Sequence, residues 1–265
     1  MKTIKLLSLL FLFTIGFAKA QMDDKFYQTS KEMKPFEFST KPEEIKFPVD
    51  SDIITAFIAK PNQKDSKKTI FFFHGAAGNV TTYQQVTKPL VEAGYQVVMV
   101  DFRGYGNSTG VPTHLNIQSD AHKFFDALIL RNDIKNTKKY IYGASLGTQI
   151  AANLAKNNAS KISGLILDSP MSSFTDIAMA YAPDYKEMIA QMLVSPYSAK
   201  TDLSDLKSLP KLIIRSDKDA PFFFEQAKVV FDNAAEPKKM LEVSGGHIGG
   251  MTSNKAEILK AIEGM

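Results

Sequence analysis

From Thr69 onward, short continuous apolar runs alternate with segments whose apolar residues recur at helical spacing. The runs predict strands at Thr69–Phe73, Gln96–Asp101, Lys139–Tyr142, Gly164–Leu167, Lys211–Arg215 and Lys238–Val243. The periodic segments predict helices over Thr82–Ala93, Ile117–Arg131, Leu146–Lys156, Phe222–Asn233 and Asn254–Glu263. Such alternation argues for an α/β fold, a mostly parallel sheet covered by helices on both faces. Ahead of it, Glu43–Val49 and Ile53–Lys60 flank Asp50-Ser51-Asp52 and read as a β-hairpin. Residues 21–41 are polar with scattered aromatics and are expected to pack as an arm along the domain.

The first twenty residues follow a different pattern. Lys2 and Lys5 precede the apolar stretch Leu6–Phe17, and Ala18-Lys19-Ala20 makes an A-x-A cleavage site before Gln21. We therefore expect residues 1–20 to be a signal peptide and the protein to be secreted or periplasmic. The stretch is short for a membrane span, so an uncleaved anchor is the alternative and no stable membrane insertion is expected after cleavage. The chain has no cysteine, which excludes a lipidated cysteine anchor, disulfides and thiol catalysis. Without Lys2, Lys5 and Lys19 the formal charge falls from +4 to +1 (4 − 3), so there is no electrostatic case for a nucleic-acid partner. The remaining 245 residues (265 − 20) suit one α/β domain, residues 21–265.

Chemistry enters at Gly143-Ala144-Ser145-Leu146-Gly147, which lies between a predicted strand and a predicted helix. A G-x-S-x-G in that setting is a nucleophile elbow, with small residues letting the backbone hold the serine hydroxyl above the sheet edge. A serine hydroxyl needs a histidine base oriented by a carboxylate, and in this architecture the acid and then the base follow the nucleophile. Of four histidines, His74, His114 and His122 precede Ser145, leaving His247 in the glycine-rich loop Ser244–Gly250. The acid belongs after the strand Lys211–Arg215. Asp219, just ahead of Pro221, fits better than Asp217, which suits a turn or cap; Asp168 and Asp176 are more distant alternatives. Backbone N–H donors for an oxyanion are expected from Leu146, after the nucleophile, and from Ala76 in the loop His74–Asn79. His74 is expected to fix that loop rather than act as a base.

Phe73-His74-Gly75-Ala76-Ala77-Gly78-Asn79, Asp101–Gly110, Tyr142–Gly147, Ser216–Pro221 and Gly246-His247 together resemble the α/β-hydrolase superfamily of serine hydrolases. The similarity is to the compact α/β-hydrolase-domain proteins and the serine-aminopeptidase/monoglyceride-lipase-like branch. It implies the α/β-hydrolase fold and a Ser145-Asp219-His247 triad. Ser216 stands where the family more often has glycine, which leaves Asp217 in contention. In this superfamily a cap is inserted where Ser169–Pro210 lies, here short enough to leave the pocket fairly open. Phe174, Met179, Tyr181, Tyr185, Met188, Met192 and Leu193 either line an acyl pocket there or pack the insertion onto the domain.

Asp101-Phe102-Arg103-Gly104-Tyr105-Gly106 lacks the third glycine of a dinucleotide loop; its expected role is structural, with Arg103 tethering loops. Metal-binding patterns of the H-E-x-x-H type are absent, so neither cofactor nor metal is expected. The expected function is hydrolysis of a small-molecule ester or thioester through an acyl-enzyme. The alternatives are an aminopeptidase or amidase, acyl transfer to an alcohol, and a silent ligand-binding scaffold. The sequence carries no signal for acyl length or oligomeric state.

Overall fold

The computed structural model describes residues 26–62 and 66–265; the leader reading falls outside them. Eight strands form the central sheet: β1 (Glu43–Val49), β2 (Asp52–Ala59), β3 (Lys68–Phe73), β4 (Gln96–Val100), β5 (Lys138–Ala144), β6 (Gly164–Asp168), β7 (Lys211–Ser216) and β8 (Lys238–Val243). Their order is β8-β7-β6-β5-β3-β4-β2-β1. β3 to β8 run parallel, while β2 pairs antiparallel with both β1 and β4. This is the α/β-hydrolase arrangement. Each predicted strand forms, with ends moved by one or two residues.

The side-chain period of two divides the core between the faces of the sheet. Phe71, Phe73, Ile141, Leu165 and Leu167 enter one cluster, while Ile70, Phe72, Tyr140, Tyr142 and Ile166 enter the other. Both faces are covered, so the inner strands read as unbroken apolar runs. Helices α2 (His114–Leu128) and α3 (Gly147–Asn157) bury Phe124, Phe125, Ile150 and Leu154 on the first face. On the second lie α1 (Gln84–Glu92), with Leu90, and α8 (Lys255–Glu263), with Ile258 and Ile262.

Helix α2 begins at His114, three residues before the sequence reading placed it. Thr113 caps it: its hydroxyl accepts the Asn116 N–H at 3.2 Å, and the Asn116 side chain accepts the Thr113 N–H at 2.8 Å. The reciprocal box uses asparagine where glutamate or glutamine is usual, which hid it in the sequence. The predicted helix Thr82–Ala93 divides into a 3-10 turn, Val80–Tyr83, and α1.

Between β6 and β7 the insertion folds into α4 (Phe174–Tyr181), α5 (Lys186–Met192) and α6 (Ala199–Asp202). Phe174 is buried, but Tyr181, Tyr185, Met188 and Met192 are exposed. Of these, Tyr181 still sets its ring edge-on to Phe26, with centroids 6.0 Å apart. The arm does pack: Phe26 and Tyr27 are buried against Phe174, at centroid distances of 5.2 and 6.2 Å. It then pairs Gln28–Thr29 in parallel with Ala77–Gly78. Arg103 binds Asp120 through Nε and Nη2, each at 2.9 Å, and Asp52 through Nη1 at 2.5 Å, joining α2 to the hairpin turn.

Candidate active site

The turn that carries Ser145 is built by two close approaches. A Cβ on Gly147 would lie 2.2 Å from the Phe73 carbonyl oxygen, and one on Gly143 would lie 2.7 Å from the Ala151 Cβ. Only glycine lets α3 begin against the end of β3. Ser145, squeezed between them, has φ +50°, a left-handed backbone uncommon for a residue with a side chain. Its N–H donates to the Asp168 carbonyl at 2.8 Å, and its own carbonyl accepts from the Thr148 N–H at 2.9 Å.

The structure brings Ser145, His247 and Asp219 into one chain of contacts. His247 Nε2 lies 2.8 Å from Ser145 Oγ, and Nδ1 lies 2.7 Å from Asp219 Oδ2. An ionised carboxylate only accepts, so Nδ1 carries the proton and Nε2 is left to accept from the serine hydroxyl. The Asp219 side chain is 3% exposed and that of His247 29%, so the carboxylate is shielded while the imidazole stays open to solvent. Asp219 Oδ1 also accepts the Ala220 N–H at 2.8 Å, one residue before Pro221 starts α7 (Pro221–Asn233). The Phe223 ring, on the first turn of α7, packs 4.3 Å from the His247 ring.

The other aspartates do different work. Asp217 accepts the Gly245 N–H at 2.9 Å and the Ser244 hydroxyl at 3.0 Å, and these bonds hold its carboxyl below the usual range. Asp168 is fully buried and accepts the Tyr142 hydroxyl at 2.7 Å; burial pushes it up to about 6. Asp176 binds Lys200 at 2.7 Å and belongs to the cap.

Ala76 and Leu146 flank Ser145 from two loops. Among the described residues, neither backbone N–H donates to a protein acceptor. A Cβ built on Gly75 would come within 3.3 Å of the Ser145 Cβ, so this backbone runs directly past Ser145. The peptide joining Gly75 to Ala76 is oriented by His74, whose Nδ1 lies 2.7 Å from the Gly75 carbonyl oxygen. Its Nε2 accepts the Phe102 N–H at 3.2 Å, which fixes Nδ1 as the protonated nitrogen. In a trans peptide the N–H points opposite to the carbonyl, so the Ala76 N–H faces away from the imidazole. Burial lowers His74 to about 4, which keeps it neutral as this arrangement requires. The Ala76 carbonyl accepts from Tyr105 Oη at 2.6 Å and from the Gln28 N–H at 3.0 Å, so both the core and the arm brace the loop.

The sequence reading missed Met171. Its N–H donates to Thr148 Oγ1 at 3.2 Å, its carbonyl accepts from Gln149 Nε2, and its Sδ lies 3.8 Å from Ser145 Oγ. Nothing in the local sequence marks it, because the two residues that hold it come from the first turn of α3.

This fold and elbow agree with what comparison finds. Residues 64–219, more than half of the chain, match the family described as serine aminopeptidase, S33, a hydrolase family, and the chain belongs to it. The matched stretch contains Ser145 and Asp219 and ends before His247. Similar curated proteins include the uncharacterized protein YfhR of Escherichia coli O157:H7, 25% identical over 194 residues that cover 72% of this chain and 67% of YfhR. Protein bem46 of Schizosaccharomyces pombe is 27% identical over 176 residues, 66% of this chain; the match spans less than two thirds of bem46, 59%. Among solved structures, the Pyrococcus furiosus esterase Pf2001 superposes with a TM-score of 0.70 at 15% identity, covering 90% of this chain and 96% of that one. That likeness is one of fold.

Proposed function

We propose that this member of the family is an exported serine hydrolase that cleaves carboxylic ester or thioester bonds. The observation that carries the reading is the unbroken line Asp219–His247–Ser145, with contacts of 2.7 and 2.8 Å, at the C-terminal edge of the sheet. Ser145 Oγ attacks the carbonyl carbon as its proton passes to His247 Nε2, and Asp219 stabilises the imidazolium. The Ala76 and Leu146 N–H groups take the oxyanion. When the tetrahedral intermediate collapses, His247 protonates the leaving alkoxide or thiolate and an acyl-Ser145 ester remains. His247 then deprotonates water, which attacks the acyl carbon and returns Ser145. Export rests on the lysines, apolar stretch and A-x-A site of residues 1–20.

The family's description favours a second reading, an aminopeptidase acting through the same three residues. Against it, Asp217, the carboxylate nearest the triad in sequence, is occupied by Ser244 and Gly245 rather than open to a substrate ammonium. The test is turnover of p-nitrophenyl esters of increasing acyl length beside aminoacyl p-nitroanilides, with Ser145→Ala as control. Ester turnover that disappears in the variant is expected. Turnover of anilides alone would replace the esterase reading with the peptidase one, and turnover surviving Ser145→Ala would overturn both.

A further inference from the structure

The His247 loop is gripped on both sides of the histidine. Ahead of it, Asp217 holds Ser244 and Gly245. Behind it, Ser169 Oγ accepts the Ile248 N–H at 3.0 Å. The two residues of this second contact share an unusual backbone, with φ +50° at Ser169 and +58° at Ile248. A β-branched residue in the left-handed region is an outlier, because its side chain crowds the following carbonyl. Such conformations persist only where surrounding structure over-determines them, and they gather at functional sites. Among the described residues the other non-glycine cases are Asp50, in the hairpin turn, and Ser145 itself.

The corner at the end of β6 touches both halves of the reacting pair. The Asp168 carbonyl accepts the Ser145 N–H at 2.8 Å, and the next residue's hydroxyl accepts the Ile248 N–H. Ser169 is anchored in turn, its N–H donating to the Ile214 carbonyl at 2.9 Å, and it is 1% exposed. One rigid corner therefore registers the nucleophile's backbone against the base's backbone. No step of acylation or deacylation uses Ser169 or Ile248.

We propose that Ser169 is a positioning residue: its hydroxyl holds Ile248 in the left-handed turn that aims His247 between Asp219 and Ser145. The inference rests on the reading of those three residues as the catalytic set. Ser169→Ala in the full chain removes the acceptor and leaves the triad chemically intact. The expected result is a fall in kcat of about 10- to 100-fold with KM for a p-nitrophenyl ester nearly unchanged, as a misaimed base predicts. The downfield proton resonance of His247 Nδ1–H, which needs no substrate, should weaken or vanish while the near-ultraviolet circular dichroism of the fold persists. Unchanged kcat with an unchanged resonance would overturn the proposal, as would a loss that merely tracks the unfolded fraction.

Ile248→Gly supplies a second arm should Ser169→Ala not fold. Glycine takes the left-handed turn without the strain that isoleucine carries and keeps the same N–H, so position 248 then depends less on the Ser169 acceptor. We expect the resonance to persist in Ile248→Gly, and adding Ser169→Ala to cost less kcat than that change costs beside isoleucine. Full additivity of the two changes would count against the latch. Wild-type protein that turns over no ester, yet loses the resonance on Ser169→Ala, would retire the esterase reading and still support the positioning role.

Discussion

Asp217 and Asp219 stand two residues apart in one loop, and what their oxygens touch predicts opposite outcomes for one chemical change. Asp219→Asn places an amide against His247 Nδ1, favouring the wrong imidazole tautomer; kcat should fall by about 10⁴-fold with KM little changed. Asp217→Asn keeps one acceptor for the Gly245 N–H or the Ser244 hydroxyl, so kcat should fall by roughly tenfold or less. Steady-state kinetics on both variants decides it, and a crippling Asp217→Asn beside a mild Asp219→Asn would reverse the roles. At this scale the sequence was legible where chemistry restricts residue type. A serine in a G-x-S-x-G turn and a histidine downstream can be named from order, whereas order left Asp217 and Asp219 both open. Ser169, Met171 and the hand of Ile248 were not legible, because an isoleucine is what no turn rule would select for φ +58°.

Among the elements, the inner strands were readable because burial on both faces leaves each an unbroken apolar run, and the longer helices because one face is wet. Cap helices α4, α5 and α6 were not. They are short, and α5 buries none of its residues, so no apolar stripe records it. The junction of β5 and α3 makes a sharper prediction. Gly147→Ala drives a methyl into the Phe73 and His74 carbonyls at 2.2 and 2.5 Å, backbone that cannot swing aside. It should destabilise the protein by about 2–3 kcal/mol or prevent folding. Gly246→Ala, where a Cβ meets nothing within 4 Å, should leave the melting temperature unchanged. Thermal denaturation of the pair checks the contrast.

For the whole molecule, two buried carboxyls contribute to the dependence of stability on pH. Burial raises both Asp168 and Asp101 to about 6 from 3.8. The native state then holds more protons than the unfolded chain between those values, so stability from these groups is complete below pH 3.8 and is lost as pH rises through 6. Above pH 6 each buried charge costs on the order of 3 kcal/mol. Asp168→Asn keeps an acceptor for Tyr142 without the charge; its melting temperature should exceed the wild type's at pH 8, and the gain should shrink by pH 4. An equal shift at both values would refute this account.

The strap that Gln28–Thr29 makes on the Ala76 loop bears on how the molecule fails when heated. Local openings take less free energy than global unfolding, and this pairing is only two residues long beside the six of β3. Function and fold should therefore part company on warming. Turnover should decline reversibly in a range where circular dichroism still reports intact structure, and hydrogen exchange at the Gln28 and Ser30 amides should be fast there while the β3 amides stay protected. The working temperature ceiling would then be set by a few residues of strap, well below the melting point of the sheet.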